Sequence, residues 1–204
     1  MDGANTLGVL ERNPWVARRK LDVTEYHRMG AAGILTEEDR VELIEGEIVA
    51  MVPIGSDHSS TVARLTRLFV RAAGDRAVVW PQNPVRLSVH SEPQPDVVLL
   101  RPREDDYEGR PPGPEDVLLL IEVAGSSLRY DRGVKLPLYA QHGIREVWIV
   151  DLAGRAVEVH RDPAGEGYAR TTRAVAGDVL EPAALPGLRL AVSDVLRSAP
   201  PPGP

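Results

Sequence analysis

The sequence predicts an α/β domain of the α+β kind, built on a mixed sheet, and three observations carry that expectation. Two short apolar runs, Pro95–Leu100 (PDVVLL) and Asp116–Val123 (DVLLLIEV), read as strands, the second buried on both faces. Val62, Leu65, Phe69 and Ala72 recur at the spacing of one helical face. Turn signals at Glu45-Gly46 and Ala153-Gly154 each separate two alternating segments, which places a hairpin toward either end of the chain.

Taken in order, residues 1–20 show no clear periodicity and form a flexible N-terminal arm. Thr24 can cap a short helix through about Met29, with a turn at Gly33. Val41–Val52 supplies the first hairpin. The strongest helix follows, capped by Ser56 or Asp57 and stopped by Gly74. Strands are expected at Ala77–Trp80, Val85–Val89, Pro95–Leu100 and Asp116–Val123, with a Pro/Gly/charge-rich loop over Arg101–Glu115. After Gly125-Ser126-Ser127 a helix runs to His142, with Gly143 as its stop. Pro137 conflicts with that helix, because it lacks an N–H and crowds the preceding turn. Either the helix begins near Val134, or it is kinked. Glu146–Asp151 and Ala156–His160 form the second hairpin. Weaker strand signals and a short helix lead to Leu196. Residues 21–197 thus make one domain, and 198–204 a disordered, proline-rich tail.

Composition narrows the function classes. The 204 residues suit one domain and contain no cysteine, which removes disulfides, thiolate metal sites and cysteine nucleophiles. No apolar run approaches the roughly 18–20 residues of a membrane span, and the N-terminus has no signal-peptide core, so a cytoplasmic, non-membrane protein is expected. The formal net charge of −6 argues against a strong non-specific nucleic-acid binder, whose affinity comes largely from cations displacing counterions. Of 24 basic residues only Lys20 and Lys135 are lysine. Lysine is a compact, tunable charge where arginine is a fixed fork, so Lys135 stands out.

Glu122 ends a run of Val117-Leu118-Leu119-Leu120-Ile121 and precedes Val123. A carboxylate stranded there costs several kcal/mol unless a raised pKa, a paired cation or a metal relieves it (on the order of 2–7 for a polar group, more for a charge). Asp96 stands likewise before Val97-Val98-Leu99-Leu100. If the two strands are neighbours, the acids meet at one end of the sheet. Hard oxygen ligands select magnesium or manganese, and such a metal can activate water against a phosphate. Lys135, on the next helix, could assist. Plainer readings also exist: Glu122 paired to an arginine, Asp96 as a turn residue, Lys135 in an ordinary helical pair with Asp131 of about 0.2–0.5 kcal/mol.

ELIEGE at 42–47, His58 opening a helix, PDVVLL at 95–100, IEVAGSS at 121–127, DRGVK at 131–135 and YAQHGIREVWIVDL at 139–152 together resemble the Uma-two family of restriction-endonuclease-like proteins. The resemblance spans roughly Thr24 to His160. It implies the PD-(D/E)XK nuclease fold, a mixed central sheet flanked by helices. It makes Asp96 and Glu122 the metal-binding carboxylates, with the backbone carbonyl of Val123 as a further ligand to Mg or Mn. The motif lysine is absent, since Ala124 stands in its place, and Lys135 would supply the amine from the helix. Glu42 resembles an additional family acid, although a solvent-facing hairpin glutamate reads equally well. His58 would contact phosphate or act as a helix-cap residue. The implied activity is metal-dependent hydrolysis of phosphodiester bonds, in DNA ahead of RNA or a small phosphodiester, with a homodimer fitting the need to cut two strands. The competing expectation is a non-catalytic binding or regulatory protein that keeps the nuclease fold.

Overall fold

The structure is a computed structural model that describes residues 17–36, 38–51 and 55–196. Most of the expected arm (1–16) and the tail (198–204) lie outside the described residues.

The chain enters through helix α1 (Val23–Ala31). Its cap is Asp22 rather than Thr24: the Asp22 side chain accepts from the Glu25 amide while the Glu25 carboxylate accepts from the Asp22 amide. This reciprocal capping box satisfies two otherwise orphaned donors, and it leaves Thr24 inside the first turn. Strands β1 (Val41–Ile44) and β2 (Glu47–Ala50) form the first hairpin, with Ile44 opposite Glu47. The two-residue turn needs positive φ at both centres, and Glu45 (49°) and Gly46 (80°) supply it.

Helix α2 (Ser56–Ala73) buries Val62, Leu65, Phe69 and Ala73. Gly55 is its N-cap and gives no side-chain bond, so neither Ser56 nor Asp57 caps it. Strands β3 (Val78–Pro81), β4 (Val97–Leu100), β5 (Val117–Ala124), β6 (Glu146–Asp151), β7 (Ala156–Ala164) and β8 (Gly167–Ala174) form one sheet in sequence order. Every neighbour is antiparallel except β5 and β6. That parallel pair demands a crossover, and the helical segment from Leu128 to Gln141 provides it. Among the described residues, two short strands, β9 (Val179–Leu180) and β10 (Leu190–Ala191), and a last helical turn, Val192–Val195, complete the fold.

The expected strand at Val85–Val89 does not form. Val85 and Leu87 are buried, so the alternation was a real packing signal. Prolines at 84, 93 and 95 deprive the neighbouring chain of ladder donors, and only single contacts remain, such as Leu87 N–H to the Ser91 carbonyl at 3.0 Å. The segment instead folds into a turn that props up the first hairpin, with the Glu92 amide bonded to the Leu43 carbonyl at 2.8 Å.

Pro137 falls in the first turn of an α-helix that begins at Leu136, close to the expected start near Val134, but the helical path leading to it begins earlier. The crossover helix starts at α3 (Leu128–Tyr130), widens into a π-turn over Asp131–Lys135, and resumes as α4 (Leu136–Gln141). The Leu136 amide reaches back five residues to the Asp131 carbonyl, so the proline without an N–H is accommodated by a wider ring rather than by a break. Such π-turns recur at functional sites.

Two apolar layers flank the sheet. One joins α2 and the C-terminal segment to Val97, Leu99, Ile121, Val123 and Trp148. The other joins the hairpin and α4 to Val98, Leu120, Ala124 and Ile149. Phe69 is wholly buried, its ring 6.0 Å from that of Trp148. Phe69→Ala should lower the unfolding free energy by about 3–5 kcal/mol in chemical denaturation; a loss under about 1 kcal/mol would contradict this packing.

Candidate active site

Antiparallel register brings the two acids together. Val97 pairs with Ile121, so one step further along each strand Asp96 faces Glu122 across the end of the sheet. Both side chains belong to the layer that carries Val98, Leu120 and Ala124, because strand residues alternate faces. The Asp96 Oδ2 accepts from the Val123 amide at 2.8 Å and contacts His58 Nε2 at 3.0 Å. A strand residue of a hydrogen-bonded pair turns its amide and carbonyl to the same edge, so the Val123 carbonyl faces the edge where Asp96 sits.

Glu122 is 3% exposed, and its Oε1 accepts from the Tyr139 hydroxyl at 2.5 Å and lies 3.2 Å from Lys135 Nζ. The Lys135 amine, 6% exposed, is also 3.3 Å from Glu42 Oε2. The amine that the helix supplies is therefore within reach of Glu122. Glu42 is buried rather than solvent-facing: its Oε1 accepts from the Tyr130 hydroxyl at 3.0 Å and its Oε2 from the Gln94 amide at 3.1 Å. Asp131 accepts from Ser127 at 2.7 Å.

The plainer readings give way. Glu122 is paired to the lysine and not to an arginine; Asp96 is bonded across strands and not within a turn. Lys135 makes its ion pairs with two glutamates rather than with Asp131. His58, the third residue of α2, is no cap residue: Gly55 holds that place, and the imidazole reaches the acid instead.

Electrostatics follow from burial. Desolvation pushes the Glu122 carboxyl up to about 8; Lys135 opposes the shift, and Asp96 and Asp131 add to it. Burial pulls the Lys135 amine down, but Glu122 and Glu42 outweigh it, and the ammonium is held charged. Burial raises Asp131 and Tyr139 as well. Four carboxyl groups thus surround one ammonium, and the surplus can be relieved by a proton on Glu122 or by a cation.

The cleft these groups line encloses about 220 Å³, enough for a cation with its water shell at roughly 30 Å³ per water. Among the described residues, hydrogen bonds and ion pairs reach only one oxygen of Asp96 and one of Glu122, leaving a free oxygen on each. No group of three or more His, Asp or Glu side chains converges into a cage among those residues. Two carboxylates, one carbonyl and water suit magnesium, which keeps several waters and needs no full protein cage.

A family model described as "Putative restriction endonuclease" matches residues 23–193. The chain belongs to this Uma2 family. A solved structure from Anabaena variabilis, titled "a putative nuclease belonging to DUF820", is similar in fold. It has a TM-score of 0.66 and 17% identity, and the match covers 86% of this chain and 97% of that one. No curated protein matches the chain in sequence. The membership and the six-stranded mixed sheet agree with the fold expected from the motifs. No described helix is long and apolar enough to cross a membrane.

In this Uma2 member, motif reading missed Tyr130, Tyr139, Gln94 and Arg40. The tyrosines lie within or beside the family-like blocks, but which way their hydroxyls point depends on the π-turn. Arg40 lines the cleft and is exposed, and among the described residues no ion pair engages it.

A pH signature follows. Glu122 holds its proton more tightly folded than unfolded, so its contribution to stability is greatest below about pH 4.5 and is lost as pH rises through about 8. Glu122→Gln removes that slope. In metal-free buffer its melting temperature should gain on the wild type between about pH 5 and about pH 9; a variant-minus-wild-type difference that stays constant or falls over that range would show that burial does not raise this carboxyl.

Proposed function

We propose that this protein is a divalent-metal-dependent endonuclease that hydrolyses phosphodiester bonds in DNA and works in the cytoplasm. The observation that carries the reading is the facing pair Asp96 and Glu122 with a buried ammonium 3.2 Å from one of them. Family membership supports nuclease-like chemistry; metal and DNA are this proposal's own.

Asp96, Glu122 and the Val123 carbonyl would hold magnesium or manganese, which when bound supplies a more acidic water and neutralises phosphate charge. His58 and the Val123 amide hold Asp96 in one rotamer, so its free oxygen has a fixed direction. Tyr139 does the same for Glu122. Lys135 takes the role of the lysine missing at Ala124: its amine donates toward the attacking water and stabilises charge developing on the phosphoryl oxygens. Arg40, at the open side of the cleft, offers a guanidinium to a flanking phosphate.

A second reading keeps the fold without catalysis. It draws on the net charge of −6 and on the want of a three-carboxylate cage among the described residues.

Incubation with plasmid DNA and with single-stranded oligonucleotides, in magnesium or manganese, separates the two. The wild type should cut with metal and be silent in chelator. Asp96→Ala and Glu122→Ala should each abolish cleavage, and Lys135→Ala should lower kcat by about 10²–10⁴-fold. Cleavage that survives both acid substitutions would sink the assignment, and an inert wild type across both substrates favours the binding protein. Arg40→Ala should instead weaken substrate binding at every sequence and reduce the salt slope of affinity by about 1; an unchanged slope would remove Arg40 from the phosphate path.

A further inference from the structure

Glu42 resembles an additional acid of the nuclease site, and the obvious role for it is a third metal ligand. Its surroundings point elsewhere. A carboxylate offers about four acceptor positions, and three on Glu42 are taken: by Tyr130 on Oε1, and by the Gln94 amide and the Lys135 amine on Oε2. Asp96 and Glu122 each keep a whole oxygen without a partner among the described residues. The Lys135 ammonium, 3.3 Å from Glu42 Oε2, already supplies that carboxylate with a cation.

The hairpin that carries Glu42 lies outside the six-stranded sheet. It is fastened by the Glu92 amide to the Leu43 carbonyl (2.8 Å), by the Gly46 amide to the His90 carbonyl (2.7 Å) and by the Tyr26 hydroxyl to the Val41 carbonyl (3.1 Å). Glu42 is therefore held by backbone on one side and by Tyr130 on the other. On that side Lys135, on its flexible four-carbon stem, meets the Glu42 carboxylate and the face of the Tyr130 ring, whose centroid lies 5.9 Å from the amine.

We propose that Glu42 is the positioning residue for Lys135: it seats the displaced lysine beside Glu122 and is not a metal ligand. The seat substitutes for the strand position that Ala124 leaves empty of an amine. The nuclease role of that seat rests on the function proposed above; the seat itself does not.

The chain contains only two lysines, Lys20 and Lys135, so lysine labelled at Cε and Nζ gives two assignable NMR signals. In the wild type the Lys135 ammonium, shielded and doubly paired, should exchange slowly with water and differ from that of Lys20. Glu42→Gln keeps the shape and removes the charge; it should bring the Lys135 signal toward that of Lys20. Manganese affinity by calorimetry should stay within about threefold of the wild type in Glu42→Gln, where Asp96→Ala loses at least about tenfold. In the cleavage assay Glu42→Gln should lower kcat by about 10-fold or more with KM unchanged. Should Glu42→Gln fail to fold, Tyr130→Phe removes one brace of the carboxylate and should shift the Lys135 signal partway.

An unchanged Lys135 signal in the folded variant would overturn the proposal. So would a fall in manganese affinity matching that of Asp96→Ala. A wild type that neither binds manganese nor cuts nucleic acid would end the nuclease reading, while the lysine signal would still decide whether Glu42 seats Lys135.

Discussion

The site is organised around one buried ammonium. Lys135 sits between Glu122 on the sheet and Glu42 on the hairpin, and each of the three is almost wholly removed from water. A lone charge in such a place costs several kcal/mol in practice. The pairing is therefore a condition on the fold as much as a feature of the site. The crossover helix, the outer hairpin and the end of β5 must meet at one point, and each brings one member of the triad. Removing Lys135 leaves both glutamates buried without their cation.

That constraint explains two irregularities. The π-turn at Asp131–Lys135 accommodates Pro137 and keeps both Asp131 and Lys135 buried within a helix that otherwise lies over apolar strands. The proline-broken turn after β3 forfeits a ladder but provides the Glu92 and His90 contacts that dock the hairpin carrying Glu42. In both places regular hydrogen bonding yields to the placement of a charged residue, the pattern expected where local preferences conflict with function.

The legible part of this protein lay in its strands. PDVVLL and DVLLLIEV display their acids because a carboxylate beside a run of apolar residues has few explanations, and pairing of adjacent strands then brings Asp96 opposite Glu122. Lys135 stood out through its rarity among arginines. Less legible was anything that depended on helix phase or loop path. Tyr130 and Tyr139 are ordinary helix residues until the π-turn sets their direction. Val85 and Leu87 alternate like a strand because they are buried, and burial does not require a ladder. Thr24 and His58 look like helix-cap residues by type, but Asp22 takes the first cap through its side chain and Gly55 the second through backbone alone. Glu42 could be seen as an acid near the motif; that its oxygens are already claimed could not.

The charge surplus that remains around Lys135 is the chemical reason to expect a cation at Asp96 and Glu122. Crystals grown with manganese, with diffraction collected for its anomalous signal, test this most directly. One strong anomalous peak is expected between the free oxygens of Asp96 and Glu122, within reach of the Val123 carbonyl and away from Glu42. A map with no peak there at saturating manganese, or with the ion on Glu42, would contradict it.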